Sequence, residues 1–199
     1  MRTYTILKKT DFLDWEKIPV ALIDNPYHTG DVDIVAGGQV CYDDTALYVR
    51  LFAKESKIRA EYTGLLDAPC EDSCLEFFFA PMNGDNRYLN IEYNPNCCIF
   101  LGMGSCVDDL VRFIPESGFP FNPKTNRTED GWEINYHIPF SFIRQFFPEF
   151  HPVSGYEMRG NMYKCGDLTE AEHYFTWNKL TGNVLSFHRP CDFGRFVFE

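Results

Sequence analysis

Glu76 and Glu92 are the first side chains whose type and setting could do chemistry. Each lies in a segment that alternates with period two: residues 74–80 (CLEFFFA) and 87–94 (RYLNIEYN). In a strand, successive side chains point to opposite faces. Leu75, Phe77 and Phe79 therefore share one face, with Glu76 and Phe78 on the other. In the next segment Leu89, Ile91 and Tyr93 face a core, while Tyr88, Asn90, Glu92 and Asn94 face away. Residues 158–164 add Arg159, Asn161 and Tyr163 on one side, and residues 46–53 add Tyr48 and Arg50. Carboxylates, amides and guanidinium groups each take hydrogen bonds in pairs, and aromatic rings offer flat faces to C–H patches. Such a face suits the hydroxyls and axial C–H groups of a sugar. The competing reading is a polar outer face with ordinary cross-strand pairs. A catalytic reading also exists: two carboxyl groups hydrolyse a glycoside when they stand about 5–5.5 Å or 6.5–9.5 Å apart.

The three tryptophans differ in setting. Trp132 heads the alternating segment WEINYHI and belongs to a core. Trp15 suits a sandwich edge. Trp177, in the polar stretch HYFTWNKL before Thr181-Gly182-Asn183, is the candidate stacking platform; its competing role is a lid over the core edge. No Gly-x-Ser-x-Gly elbow is present. Gly102-Met103-Gly104-Ser105 lacks the remainder of a nucleotide loop. Eight cysteines are too few for a disulfide scaffold of this length, so reduced thiols are expected, with disulfides the alternative. No paired CxxC spacing exists, and Cys70-x3-Cys74, Cys97–Cys98 and His188-x2-Cys191 do not make a zinc motif. Asp24, Asp31, Asp33 and the pair Asp43-Asp44 offer the hard oxygens that calcium takes, in competition with the ordinary use of aspartate in turns.

These residues must be held by short strands. Residues 46–53, 74–80, 87–94, 132–138, 158–164 and 193–199 read as strands, separated by turn signals such as Asn83-Gly84-Asp85 and Asp130-Gly131. Residues 139–147 (PFSFIRQFF) read as one short helix, opened by Pro139 and ended by Pro148. The expected fold is all-β: an antiparallel β-sandwich or jelly roll with one short helix, as a single domain over residues 1–199. At 45% hydrophobic and 17% aromatic, the 199 residues can fill a core. A net charge of −11 argues against a phosphate backbone or an anionic lipid surface as partner. No apolar run is long enough to cross a membrane as a helix. The opening MRTYTILKKTDFLDWEKIP has no apolar h-region or small-residue cleavage site, which makes the cytoplasm the expected location, with an extracellular one the alternative if a leading segment has been removed.

Several of these segments, in this order, resemble the family 9 carbohydrate-binding modules, β-sandwiches related to the DOMON superfamily. The matching stretches are Asp72-Ser73-Cys74-Leu75-Glu76-Phe77-Phe78, Tyr88 through Asn94, and Trp132-Glu133-Ile134 leading to Ile138-Pro139-Phe140. Arg159 through Cys165, Tyr174 through Asn178, and Phe187 through Arg195 resemble a bacterial subgroup of that family. The resemblance implies non-catalytic binding of a mono- or oligosaccharide between two tryptophans, with structural calcium. Carried over, Trp177 takes one stacking position and Glu76, Asn161 and Arg112 meet hydroxyls, with Tyr163 and Asn90 lining the same face. A second tryptophan near Glu76 is missing; Tyr62 or Phe78 would have to replace it. The wider relatives also suggest haem, for which Met103 or Met162 with His137, His173 or His188 are candidate ligands, though no spacing selects a pair. A further reading is an interaction domain without a small ligand, in which His188-Arg189-Pro190 and Phe193-Gly194-Arg195 are structural.

Overall fold

In the computed structural model, which describes residues 1–9, 12–30 and 32–199, alternating hydrophobic segments form the strands that their period dictates. In chain order they are β1 (Thr3–Lys8), β2 (Ala21–Leu22), β3 (Asn25–Pro26), β4 (Val35–Tyr42), β5 (Ala46–Lys54), β6 (Cys74–Ala80) and β7 (Tyr88–Tyr93). Then come β8 (Ile99–Gly104), β9 (Val111–Arg112), β10 (Lys124–Arg127), β11 (Gly131–Pro139), β12 (Glu157–Gly166), β13 (His173–Thr176) and β14 (Gly194–Phe198). Among the described residues the one α-helix, α1, is a single turn over Phe140–Ile143 that follows Pro139. It is shorter than the expected nine residues; hydrogen-bonded turns carry the chain on to Phe147.

The strands run in the order β10-β11-β5-β4-β1-β14-β12-β6-β7-β8-β9, which curls into two layers. Most pairings are antiparallel, as expected. The exception is β1, which runs parallel to both neighbours and joins the layers: residues 3–6 pair with β14, and Leu7 and Lys8 pair with β4. The sheet is therefore mixed. The inner faces are the predicted ones. Leu75, Phe77, Phe79, Leu89, Ile91 and Tyr93 pack against Leu47, Val49, Leu51, Trp132, Ile134, Tyr136 and Ile138 in one buried cluster.

The outer face of the β12-β6-β7 layer departs from an ordinary sandwich. The loop after β13 folds back over it, and Leu180, Phe187 and Phe193 cover Phe78, Tyr88 and Tyr163 to make a second hydrophobic layer. Residues facing away from the main core are thus withdrawn from solvent as well: Tyr88, Asn90 and Asn94 are fully buried. Tyr48 and Arg50 lie on the opposite layer, where Tyr48 donates to Asp43 and Arg50 pairs with Glu133 at 2.5 Å. The set of polar outward residues is split between two faces of the molecule.

Candidate functional site

The cleft that remains in the second layer has a volume of about 310 Å³. This is at the lower end of small-molecule sites, which run from about 300 to 1,000 Å³. Strands β6, β7 and β12 supply its floor through Glu76, Phe78, Glu92 and Cys165. Cys70 and Asp167 line it as well, and Tyr174, Phe187 and His188 form the covering wall. Glu76 and Glu92 are Cα partners on adjacent antiparallel strands, so both side chains leave the sheet on the same side. Asp72, four residues before Glu76, has another role. Its carboxylate accepts from the backbone N–H of Glu61 and of Tyr62 and from Asn94 Nδ2, and pairs with Arg59, fixing the loop that precedes β6.

The acidic floor has little compensation. Glu76 accepts from Cys165 Sγ at 3.0 Å, and Glu92 accepts from Asn90 Nδ2 at 2.8 Å. Among the described residues neither forms an ion pair, and nor does Asp167. Burial, and then the neighbouring Glu92, push Glu76 well above the usual carboxylate range. Burial pushes Glu92 up to about 8, against the opposing pull of the Asn90 hydrogen bond and the Arg112 charge. Asp167 is raised too, by burial first. At neutral pH Glu76 and Glu92 therefore favour the protonated form, in which each can donate as well as accept. Burial drops His188 to about 4, so its ring is neutral, and Nδ1 lies 2.8 Å from the Tyr88 hydroxyl. Phe187 stacks on Tyr163 with centroids 4.2 Å apart.

Of the predicted site residues, Glu76 lines the cleft. Asn90 supports it through Glu92, and its Oδ1 is buried without a partner among the described residues. Tyr163 is one layer below, its hydroxyl donating to the Phe187 carbonyl at 3.1 Å. Arg112 is drawn off by the carbonyls of Leu65, Leu66 and Ile99 and lies over the Phe100 ring. Asn161 is spent on the backbone, donating to Asn178 O and accepting from the N–H of Met162 and of Asn178. Trp177 needs correction. It is 4% exposed and belongs to the main core, 4.9 Å from Phe196 and edge-on to Tyr4. It follows β13 directly, where its backbone N–H still donates to Met162 O, and the pleat sends the indole inward. Of its two proposed replacements for a second tryptophan, Phe78 lines the cleft, whereas Tyr62 donates its hydroxyl to Glu71.

The other expected ligands are also engaged elsewhere. Asp24 pairs with Arg2 and Asp44 with Lys8; Asp43 caps its own turn, accepting from Thr45 and Ala46 N–H. Asp31 lies outside the described residues. The described aspartates do not gather into an all-oxygen set for calcium. Met162 is core, and His173 and His188 already face Lys164 and Tyr88, so no haem ligand pair forms from them. Sequence reasoning missed Tyr174, Phe187 and His188 as walls. The signal available for them was the resemblance of residues 174–178 and 187–195 to the family, which gave them no role in a sugar site.

A mixed β-sandwich with a small acidic and aromatic cleft on one outer face is the architecture of a ligand-binding module. The sequence profile of carbohydrate-binding family 9 matches residues 7–198, and the chain belongs to that family. Three solved structures share the fold. A protein from Bacteroides uniformis assigned to carbohydrate binding has a TM-score of 0.79 at 23% identity, covering 100% of this chain and 99% of its own. A family 9 module from Caldicellulosiruptor kristjanssonii in complex with glucose has a TM-score of 0.68 at 14% identity, covering 100% and 96%. The same organism's module in complex with cellotriose has 0.68 at 15%, covering 100% and 94%. No curated protein matches the chain.

Proposed function

We propose that the chain binds a mono- or short oligosaccharide, without chemical change, in the cleft between the Glu76–Glu92 floor and the Phe187–His188 wall. The observation that carries this reading is the pairing of two buried, ion-pair-free carboxyl groups with an aromatic cover over a cavity of about 310 Å³. Carboxyl groups there exchange hydrogen bonds with hydroxyls, and Phe78, Phe187 and Tyr174 meet the apolar sugar faces. The family 9 module with glucose in its complex supports a ligand of this class. The cleft suits one end of a saccharide rather than a long chain laid across a surface.

Binding is favoured over hydrolysis because both carboxyl groups are pushed the same way. A retaining or inverting glycosidase needs one protonated and one ionised group, held in unlike environments. Here burial raises both. Isothermal titration calorimetry with glucose, cellobiose and a panel of other mono- and disaccharides tests the proposal. Saturable heat is expected for at least one sugar, weakened at least about tenfold, or about 1.4 kcal/mol, in Phe187→Ala and in Glu76→Gln. Folded protein that gives no saturable heat with any of them would remove the proposal.

A further inference from the structure

The floor of the cleft also gathers soft ligands. Cys74 on β6 and Cys165 on β12 are Cα partners across an antiparallel pair, and Glu76 is two residues along β6 on the same face. The two Sγ atoms and a carboxylate oxygen of Glu76 all lie within 4.8 Å of one another, and all three residues are buried. Cys165 Sγ is 3.0 Å from Glu76 Oε1. Cys165, Glu76 and Cys70 line the cleft, which provides an entry path. All eight cysteines are free thiols.

We propose that Cys74, Cys165 and Glu76 form a binding site for a thiophilic divalent metal ion of the zinc type, with one coordination position open toward the cleft. Tetrahedral zinc with Zn–S bonds of about 2.3 Å and Zn–O bonds of about 2.0 Å separates its ligand atoms by about 3.5–3.8 Å, so the three groups need move little. Two thiolates with one carboxylate select zinc or cadmium over calcium or magnesium, which take oxygen ligands. The ion would also supply the positive charge that the floor lacks, where Glu76, Glu92 and Asp167 lie without an ion-pair partner. Binding the cation displaces the two thiol protons, and the Glu76 proton where that group is protonated, to solvent. The fourth position can hold water or an oxygen of a bound ligand. Three protein ligands with one open position is the arrangement of accessible zinc sites rather than of closed structural ones. The site stands whether or not the cleft takes a sugar.

The test uses the full chain, reduced with a phosphine, stripped of metal and titrated with Zn²⁺ against a chromophoric chelator, with no sugar present. Parallel titrations use Cd²⁺, read by thiolate-to-metal ultraviolet charge transfer, and Co²⁺, read by the intense visible bands of a tetrahedral thiolate site. One equivalent of each ion is expected, with both optical signatures, and an excess of Ca²⁺ should not compete. Losing an outer partner of a metal ligand already costs roughly 10–100-fold in affinity, so Cys74→Ser and Cys165→Ser should each cost at least about 100-fold. Exposed Cys191→Ser should leave affinity unchanged. The Co²⁺ spectrum is read on the unaltered chain and does not depend on any variant folding. The proposal is overturned if the reduced chain binds no equivalent of Zn²⁺ or shows a cobalt spectrum without thiolate bands. It is equally overturned if binding survives in both cysteine variants, or if Cys74 and Cys165 prove to be joined as a disulfide after reduction and desalting.

Discussion

Two buried acidic centres lie on opposite faces of β12, and they are built in opposite ways. On the inner face, Glu55 receives Trp132 Nε1 at 2.7 Å and Ser73 Oγ at 3.0 Å, and pairs with Lys164 Nζ at 3.2 Å. Lys164 in turn donates to Cys165 O and to His173 Nε2, the latter at 2.7 Å. Burial and the Lys164 charge hold His173 down at about 4, which keeps its ring neutral and able to accept that proton. Its other nitrogen, Nδ1, lies 2.7 Å from Ala171 O and donates to it. Every charge there has a partner. On the outer face, Glu76 and Glu92 have hydrogen bonds but, among the described residues, no ion pair, and a cavity lies over them. A buried charge that is fully matched holds structure together; buried acids left without an ion pair beside a cavity are free to meet a ligand.

The largest expected effect falls on the matched centre. Lys164→Met leaves Glu55 buried and unpaired, and should cost about 3–5 kcal/mol of stability in urea denaturation. Adding Glu55→Gln should return part of that loss. If the single variant were as stable as the parent, the contrast between the two centres would collapse. Trp177→Ala opens a hole in the main core and should also cost about 3–5 kcal/mol. Phe187→Ala should cost less, since the cleft already lies on one side of that ring, yet weaken sugar binding more. The opposite ranking would return Trp177 to the site.

The titration behaviour sharpens the comparison further. An acid whose folded pKa is raised stabilises the fold fully below its unfolded value, near 4.5, and loses that contribution as pH rises through the folded value. Stability should therefore fall between about pH 5 and pH 8, by up to about 1.4 kcal/mol per pH unit for each proton retained. Glu92→Gln should flatten that slope, as followed by denaturation at fixed pH steps. His188 acts in the other direction: its folded pKa is lowered, so its contribution is present above about 6.5 and lost as pH falls through about 4. The smallest effect belongs to Glu76→Gln, whose stability at pH 7 should stay within about 1 kcal/mol of the parent, because the group it replaces is already held neutral. A loss as large as that of Lys164→Met would mean that Glu76 is a structural charge.

The strand segments were legible because a period of two leaves its mark on every residue. The inward sets around Leu75, Leu89 and Trp132 are core, and Glu76 and Glu92 do share a face. What alternation cannot show is what lies over that face. The loop carrying Phe187 and His188 is about a hundred residues from Tyr88 in sequence, and only chain reversal after β13 places it there. Trp177 misled for a related reason: its polar neighbours suggest a surface loop, but the indole of the residue that follows β13 turns inward.

By itself, the sequence determined an all-β chain of family 9 character, the inner and outer faces of its main strands, and the acidic pair on one of them. Those features depend on local periodicity and residue type, which the chain carries in linear order. Only the tertiary structure decided that β1 would run parallel to both neighbours and that a second aromatic layer would cover the outer face. It also decided that Asn161 and Arg112 would be spent on backbone groups, and that Cys165 would meet Cys74 and Glu76 across strands 89 residues apart in sequence. Burial, and with it the raised carboxyl pKa values, is set by what folds over a face, and that depends on long-range contacts rather than on the order of neighbours along the chain.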